Sequence, residues 1–303
     1  MWFWLSLAAL ICWSGSDLFS KIGCRDNDDK NSHLKMVTAV GVVMGLHALY
    51  EIFIGGTAIS LDIILKYLPV SLLYIFSMTI GYVCLRYIEL SVSSPICNCS
   101  GALVAITSVI AFGLTINGWQ IAAIILVCAG VIGLGFVEHF EDEELRALRQ
   151  EKSNYKYSKS ALALILPLGY CVLDAAGTFA DNLVLESLNE DSANVAYELT
   201  FLFCGIISFI YLKLFKKAKF LPKREAPKYI GAIFETAGQF AYIYAIADSE
   251  HLVFSAPIIS AYCLASVVWS RIFLKERLSY KHYIMIALAI IGIVIIGLFD
   301  EIG

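Results

Sequence analysis

The sequence predicts an all-α integral membrane protein whose ten transmembrane helices form two inverted five-helix repeats. Three observations carry this reading. The chain is 59% hydrophobic and only 16% charged, with a mean hydropathy of +0.75, far from the balance of a soluble domain. Its apolar residues form ten runs of about bilayer length. Of its 22 Lys and Arg residues, all but Lys66 fall in or beside the loops that follow the odd-numbered runs. That bias puts those loops in the cytoplasm and both termini outside.

The runs fall at 2–22, 35–54, 67–88, 92–113, 118–137, 160–185, 193–214, 228–248, 252–273 and 279–299. In lipid every backbone polar group needs an internal partner, so continuous apolar runs of this length are helices and not barrel strands. The opening run lacks a basic flank and reads as a retained helix, not a cleaved signal. Aromatic residues cluster toward helix ends, as in an interfacial belt. The nine cysteines sit mostly in apolar runs without zinc-type spacing and read as buried thiols. The one substantial polar segment, 138–159, joins a first repeat (1–137) to a second (160–303). Glu144, Leu145 and Leu148 could form a short surface helix there, although a solvated tether is the plainer reading. Five helices per repeat is an odd number, so the second repeat starts from the opposite side and the repeats are inverted.

The stretch Ser255–Gly297 supports the duplication. Pro257, Gly292 and Gly297 find Pro95, Gly130 and Gly135 at a constant offset of 162 residues, and Leu278-Ser279 falls on Ile116-Asn117. Leu114 stands where the second copy has Glu276. With its Ser255-Ala256-Pro257 step, its Leu274-Lys275-Glu276-Arg277-Leu278 turn and Ile291-Gly292, this helix pair resembles the closing pair of the drug/metabolite transporter superfamily, in its EamA-like branch. The opening Trp13-Ser14-Gly15 with Lys21 resembles that family's first helix. The resemblance implies alternating access around a midplane cavity lined by helices 1, 3, 4, 6, 8 and 9. Pro95 and Pro257 would then act as the gate or hinge points, since proline weakens a helix.

Polar residues within the runs locate a candidate site. An ionisable group in mid-span costs about 2.5–3.5 kcal/mol on insertion scales, so it turns to a cavity or a partner. Glu235, Gln239 and Tyr242 share one helical face at i, i+4 and i+7; Tyr170, Asp174, Thr178 and Asp181 form a second stripe, and Trp13, Asp17 and Lys21 a third. Trp13/Asp17 match Tyr170/Asp174 at an offset of 157. Tyr197, Glu198, Asn98 and Tyr262 add further polar groups. Buried pairing is the competing reading, for example Asp17 with Lys21. Arg86 and Glu89 read as an interfacial pair, His47 and Glu51 as helix-end groups, and Glu276 and Arg277 as structural turn residues.

The substrate-binding candidates are therefore Trp13, Asp17, Asn98, Tyr170, Asp174, Glu198, Glu235, Gln239, Tyr242 and Tyr262. Deep acids outnumber the deep base Lys21, and aromatic rings attract ammonium groups. The favoured cargo is a cationic or zwitterionic amine or amino acid, carried by a secondary transporter of the plasma (inner) membrane. Glu235, whose helical neighbours are non-ionisable, is the proton-coupling candidate. An anionic cargo such as a phosphorylated sugar, a channel, or a non-transporting scaffold are the alternatives. No Ser/His/Asp set, Cys/His set or phosphate-binding glycine loop points to an enzyme, and no metal, cofactor or nucleic-acid partner is expected. The basic run 213–228 reads as topology and lipid contact. Monomer and homodimer both fit.

Overall fold

The computed structural model describes residues 1–26, 28–88, 90–113, 117–140, 162–275 and 278–302. The linker beyond residue 140, and Glu89, Glu276 and Arg277, lie outside the described residues. The described residues form helices joined by short loops, with no strand among them. In order come α1 (Trp2–Cys24), α2 (Ser32–Tyr50), α3 (Leu61–Tyr87), α4 (Leu90–Cys97), α5 (Ser100–Phe112) and α6 (Gly118–His139). The second half holds α7 (Leu162–Leu185), α8 (Glu190–Leu214), α9 (Pro222–Ile246), α10 (Leu252–Ser260), α11 (Tyr262–Trp269) and α12 (Tyr280–Ile302). π-helical turns, Glu51–Gly55 and Ser270–Leu274, prolong α2 and α11.

Six segments are long and apolar enough to cross a membrane: Trp2–Cys24, Ser32–Gly55, Leu61–Tyr87, Ser93–Ala111, Glu190–Leu214 and Leu252–Leu274. Large apolar side chains such as Phe53 (79% exposed) and Ile110 (77%) face outward, as a lipid-facing surface requires. All nine cysteines are free thiols.

Local chemistry sets the helix ends. Asn117 opens α6 with a capping box: its Oδ1 accepts from the Gln120 N–H (2.9 Å), while the Gln120 side chain accepts from the Asn117 N–H (3.1 Å). Asn189 caps α8 by accepting from the Asp191 N–H at 2.9 Å. After α5, and after the π-helical turn that prolongs α11, the chain turns through the left-handed region, at Gly113 (φ 60°, ψ 33°) and at Lys275 (φ 59°, ψ 29°). These positions are 162 residues apart, the offset of the internal copy. A lysine tolerates that conformation less well than glycine.

The helices pair between halves. α1 packs along α9, α2 along α8, α3 along α7, α6 along α12, and α5 against α10. Glycines permit two of these approaches. A Cβ on Gly41 would lie 2.7 Å from the Phe201 carbonyl oxygen and 2.9 Å from the Gly205 Cα; one on Gly205 would lie 3.0 Å from the Gly41 Cα and 3.4 Å from the Val37 carbonyl oxygen. Gly130 and Gly292 play the same reciprocal part between α6 and α12.

A buried charge cluster closes one end of the bundle. Lys35 Nζ reaches Asp29 Oδ2 (2.9 Å) and Glu225 Oε1 (3.0 Å) and donates to the Lys219 carbonyl (2.7 Å). Lys228 meets Glu225 Oε2 at 3.1 Å and Asp29 at 3.5 Å. Arg86 is also buried here, donating to the Asp29 carbonyl and Ser32 Oγ. Both acceptors belong to the segment where α1 gives way to α2, while Glu89, the partner expected of Arg86, lies outside the described residues. Lys21 is likewise directed away from Asp17, donating to the Leu85 and Ile88 carbonyls (2.8 and 2.6 Å) at the end of α3. The last carbonyls of a helix run out of intrahelical donors, and an ammonium placed there suits them.

Candidate functional site

Two helices break where proline predicts weakness, but three or four residues later. Pro95 lies within α4, which ends at Cys97, and Asn98 returns its backbone N–H (3.0 Å) and its side-chain amide (2.8 Å) to the Ser94 carbonyl. Pro257 lies within α10, which ends at Ser260, and α11 starts at Tyr262. Polar side chains at such breaks can line a cavity, because irregular backbone at membrane depth survives only away from lipid. The two broken helices touch: a Cβ on Gly101 would lie 2.7 Å from the Ala256 carbonyl oxygen.

Between them, α1, α3, α7 and α9 enclose a cavity of about 80 Å³, room for several waters, since one needs roughly 10–15 Å³. It gathers Trp13 and Asp17 from α1, Asn98 from the first break, Tyr170 and Asp174 from α7, Glu235, Gln239 and Tyr242 from α9, and Tyr262 from the second break. α3 contributes Tyr74, Met78, Gly81, Tyr82 and Leu85, and α8 contributes Tyr197. Pro95 and Pro257 sit behind the wall and do not line it.

Glu198 is the exception among the candidates. It lies outside the cavity, fully buried, where its Oε1 meets His47 Nδ1 at 2.8 Å and accepts from Asn194 at 3.2 Å. Adjacent helical residues point about 100° apart, so the turn that aims Tyr197 inward directs Glu198 toward α2. His47, read as a helix-end group, is its partner and also approaches Glu51 at 3.8 Å.

Two of the three cavity carboxylates are held by hydroxyl groups. Asp17 Oδ2 accepts from Ser94 Oγ (2.5 Å) and Ser266 Oγ (2.8 Å), and Glu235 Oε2 accepts from Ser16 Oγ (2.7 Å), while Asp174 lines the same cavity as Ser100. No Lys, Arg or His lines the cavity among the described residues. Trp13 lies against Tyr242 (ring centroids 4.9 Å apart) and edge-on to Tyr262 (5.8 Å). Such a wall can solvate a cation and offers nothing comparable to an anion.

A hydroxyl chain runs from the cavity into the bundle. The Tyr74 and Tyr242 hydroxyls meet, Tyr242 donates to Thr178 (2.9 Å), and Asp181 accepts from Tyr67 (2.6 Å) and Tyr74 (3.3 Å). Asp181 thus belongs to this buried chain, not to the cavity wall. Sequence reading passed over Tyr67, Tyr74 and Tyr82, although 67, 74, 78, 81 and 85 recur at helical period along α3.

Residues 162–298 match the model of the EamA-like transporter family. The resemblance drawn from the sequence therefore stands, carried by the second half of the chain. The EamA-like match implies a membrane transporter of small molecules. A solved structure described as "Crystal structure of protein" aligns over 98% of this chain and 96% of its own, with a TM-score of 0.66 and 12% identity. At that identity the likeness concerns the fold alone. No curated protein matches the chain.

Proposed function

We propose that this EamA-like chain is a secondary transporter of an organic amine, working by alternating access in the plasma (inner) membrane. The observation that carries the cargo class is the cavity's charge: Asp17, Asp174 and Glu235 face it with no lining Lys, Arg or His among the described residues. A phosphorylated sugar entering that space would lose hydration and gain no cation in return. Trp13, Asn98, Tyr170, Gln239, Tyr242 and Tyr262 complete the proposed binding set, and Glu235 is proposed to carry a coupled proton. Glu198 is left out of the set because it does not reach the cavity.

The proposed scaffold is ten membrane helices in two inverted repeats, counting α4–α5 and α10–α11 as one broken helix each. The pairing of helices supports it. Numbering the ten segments in order, the pairs 1–8 and 3–6 exchange when each segment is replaced by the one five away, while 2–7, 4–9 and 5–10 return to themselves. The left-handed caps at Gly113 and Lys275, and the prolines that precede the breaks, Pro95 and Pro257, fall at the same offset of 162 residues. The breaks are the proposed hinges. The Lys/Arg distribution supports termini outside and the charge-cluster end of the bundle in the cytoplasm.

The test is a thermal-shift screen of purified protein against amines, amino acids and phosphorylated sugars, since a bound ligand raises the melting temperature by mass action. Amines should shift wild type, and Asp174→Asn should lose that shift while melting normally alone. A shift by phosphorylated sugars and none by amines would sink the proposal.

A further inference from the structure

The cavity wall also carries hydrogen-bond donors that nothing in the protein uses. The Trp13 Nε1–H and the Gln239 Nε2 amide nitrogen are buried without a partner, and both residues line the cavity. The indole is held there by close packing: a Cβ on Gly238 would come within 2.3 Å of Trp13 Cδ1 and 2.6 Å of Nε1. An indole nitrogen only donates, so Trp13 is selective in a way that a hydroxyl is not. The unpartnered hydroxyls of Ser20, Tyr82 and Ser93 can donate or accept and make no such choice.

The donors occupy a defined level. Gly23 meets Lys228, Ser20 meets Gly231, Ser16 meets Glu235 and Trp13 meets Gly238, so α1 and α9 run antiparallel. Trp13 is four residues from Asp17, and Gln239 is four from Glu235, in the same direction along the cavity. Trp13 and Gln239 therefore sit about one helical turn, roughly 6 Å along the helix axes at about 1.5 Å per residue, from Asp17 and Glu235.

We infer that the cargo is an amine bearing an uncharged hydrogen-bond acceptor a few bonds from its nitrogen, such as an amide carbonyl, a hydroxyl or an ether, and that Trp13 and Gln239 select for that acceptor. This rests on the amine reading above and narrows it. An acceptor on the cargo pairs with N–H groups that find no partner within the protein. A carboxylate there would have no lining Lys, Arg or His to meet it among the described residues, and Asp17 and Glu235 one turn away would repel it. An amino alcohol or amino amide therefore fits better than a zwitterionic amino acid.

The test is isothermal titration of the purified full-length protein with propylamine, β-alaninamide and β-alanine, which share a three-carbon skeleton. The amide should bind about tenfold more tightly than the plain amine, as one recovered hydrogen bond allows, and the zwitterion most weakly. Trp13→Phe keeps the aromatic ring and should erase the gap between amide and amine. Gln239→Leu should narrow it, and serves if the tryptophan variant does not fold. If β-alanine binds most tightly, or if both variants weaken amide and amine by the same factor, the inference fails and the amine reading survives. If none of the three binds while a phosphorylated sugar does, both fail together.

Discussion

Gly130 and Gly292 occupy reciprocal positions on α6 and α12. A Cβ on Gly130 would lie 2.7 Å from the Met285 carbonyl oxygen and 3.0 Å from the Ala289 nitrogen; one on Gly292 would lie 2.7 Å from the Ala123 carbonyl oxygen and 2.9 Å from the Val127 nitrogen. Each glycine is met by the residues seven and three places before the other. A two-fold relation between the helices produces such an exchange, and backbone atoms on both sides leave no flexible group to yield.

Either Gly130→Ala or Gly292→Ala should therefore destabilise the protein, by about 1–3 kcal/mol and by similar amounts. Gly169, on α7, has no atom near its missing Cβ, so Gly169→Ala should be tolerated. Melting temperatures in detergent decide this. Equal effects at all three sites would mean that helix approach is not what these glycines permit.

Removing Lys35 should unfold the charge-cluster end. Lys35→Met deprives buried Asp29 and Glu225 of a partner, and losing one member of a buried ionic set costs roughly 3–5 kcal/mol. The lower part of that range applies, because Lys228 still reaches both carboxylates. Adding Glu225→Leu should recover part of the loss, as fewer buried charges then lack a counterpart. A double variant less stable than the single would contradict this account.

Proton coupling is testable at Glu235. In proteoliposomes an imposed pH gradient should drive uphill uptake through wild type, while Glu235→Gln retains only exchange and downhill flux. The amide keeps the shape and the Ser16 contact but cannot carry the proton. If the variant still concentrates cargo, Asp17 is the next carboxylate to examine. If wild type ignores the gradient, coupling to protons is wrong.

Orientation can be read by labelling. In a cysteine-depleted background, a cysteine at position 219 should be protected from an impermeant reagent in intact cells, and a tag after Gly303 should be reachable. The reverse pattern would invert the assignment.

Much of the architecture was legible because hydrocarbon imposes a simple rule on composition. The helix starts were less so: α3 begins at Leu61, six residues before its apolar run, because Ser60 caps it by accepting from the Ile63 N–H at 3.3 Å. Asp62 and Lys66 then ride on the helix as polar residues near its end. The stripes on α7 and α9 located the cavity since one side of a helix must face one place. Partners were another matter. Nothing in spacing could link Ser94 and Ser266 to Asp17, or His47 to Glu198, because such contacts join segments far apart in the chain. Proline marked the broken helices, but the breaks themselves follow at Asn98 and Ala261, where the lost backbone bonds are absorbed.

The carboxylates in the cavity also have an electrical consequence. An elementary charge crossing the whole membrane field exchanges about 2.3 kcal/mol with each 100 mV of potential. In the cycle proposed here, an empty cavity carries its ionised carboxylates through part of that field, whereas a bound ammonium cancels one of them. Resting voltage then acts differently on the loaded and unloaded halves of turnover. Current recorded without cargo would count the carboxylates that remain charged when nothing is bound to Asp17, Asp174 and Glu235.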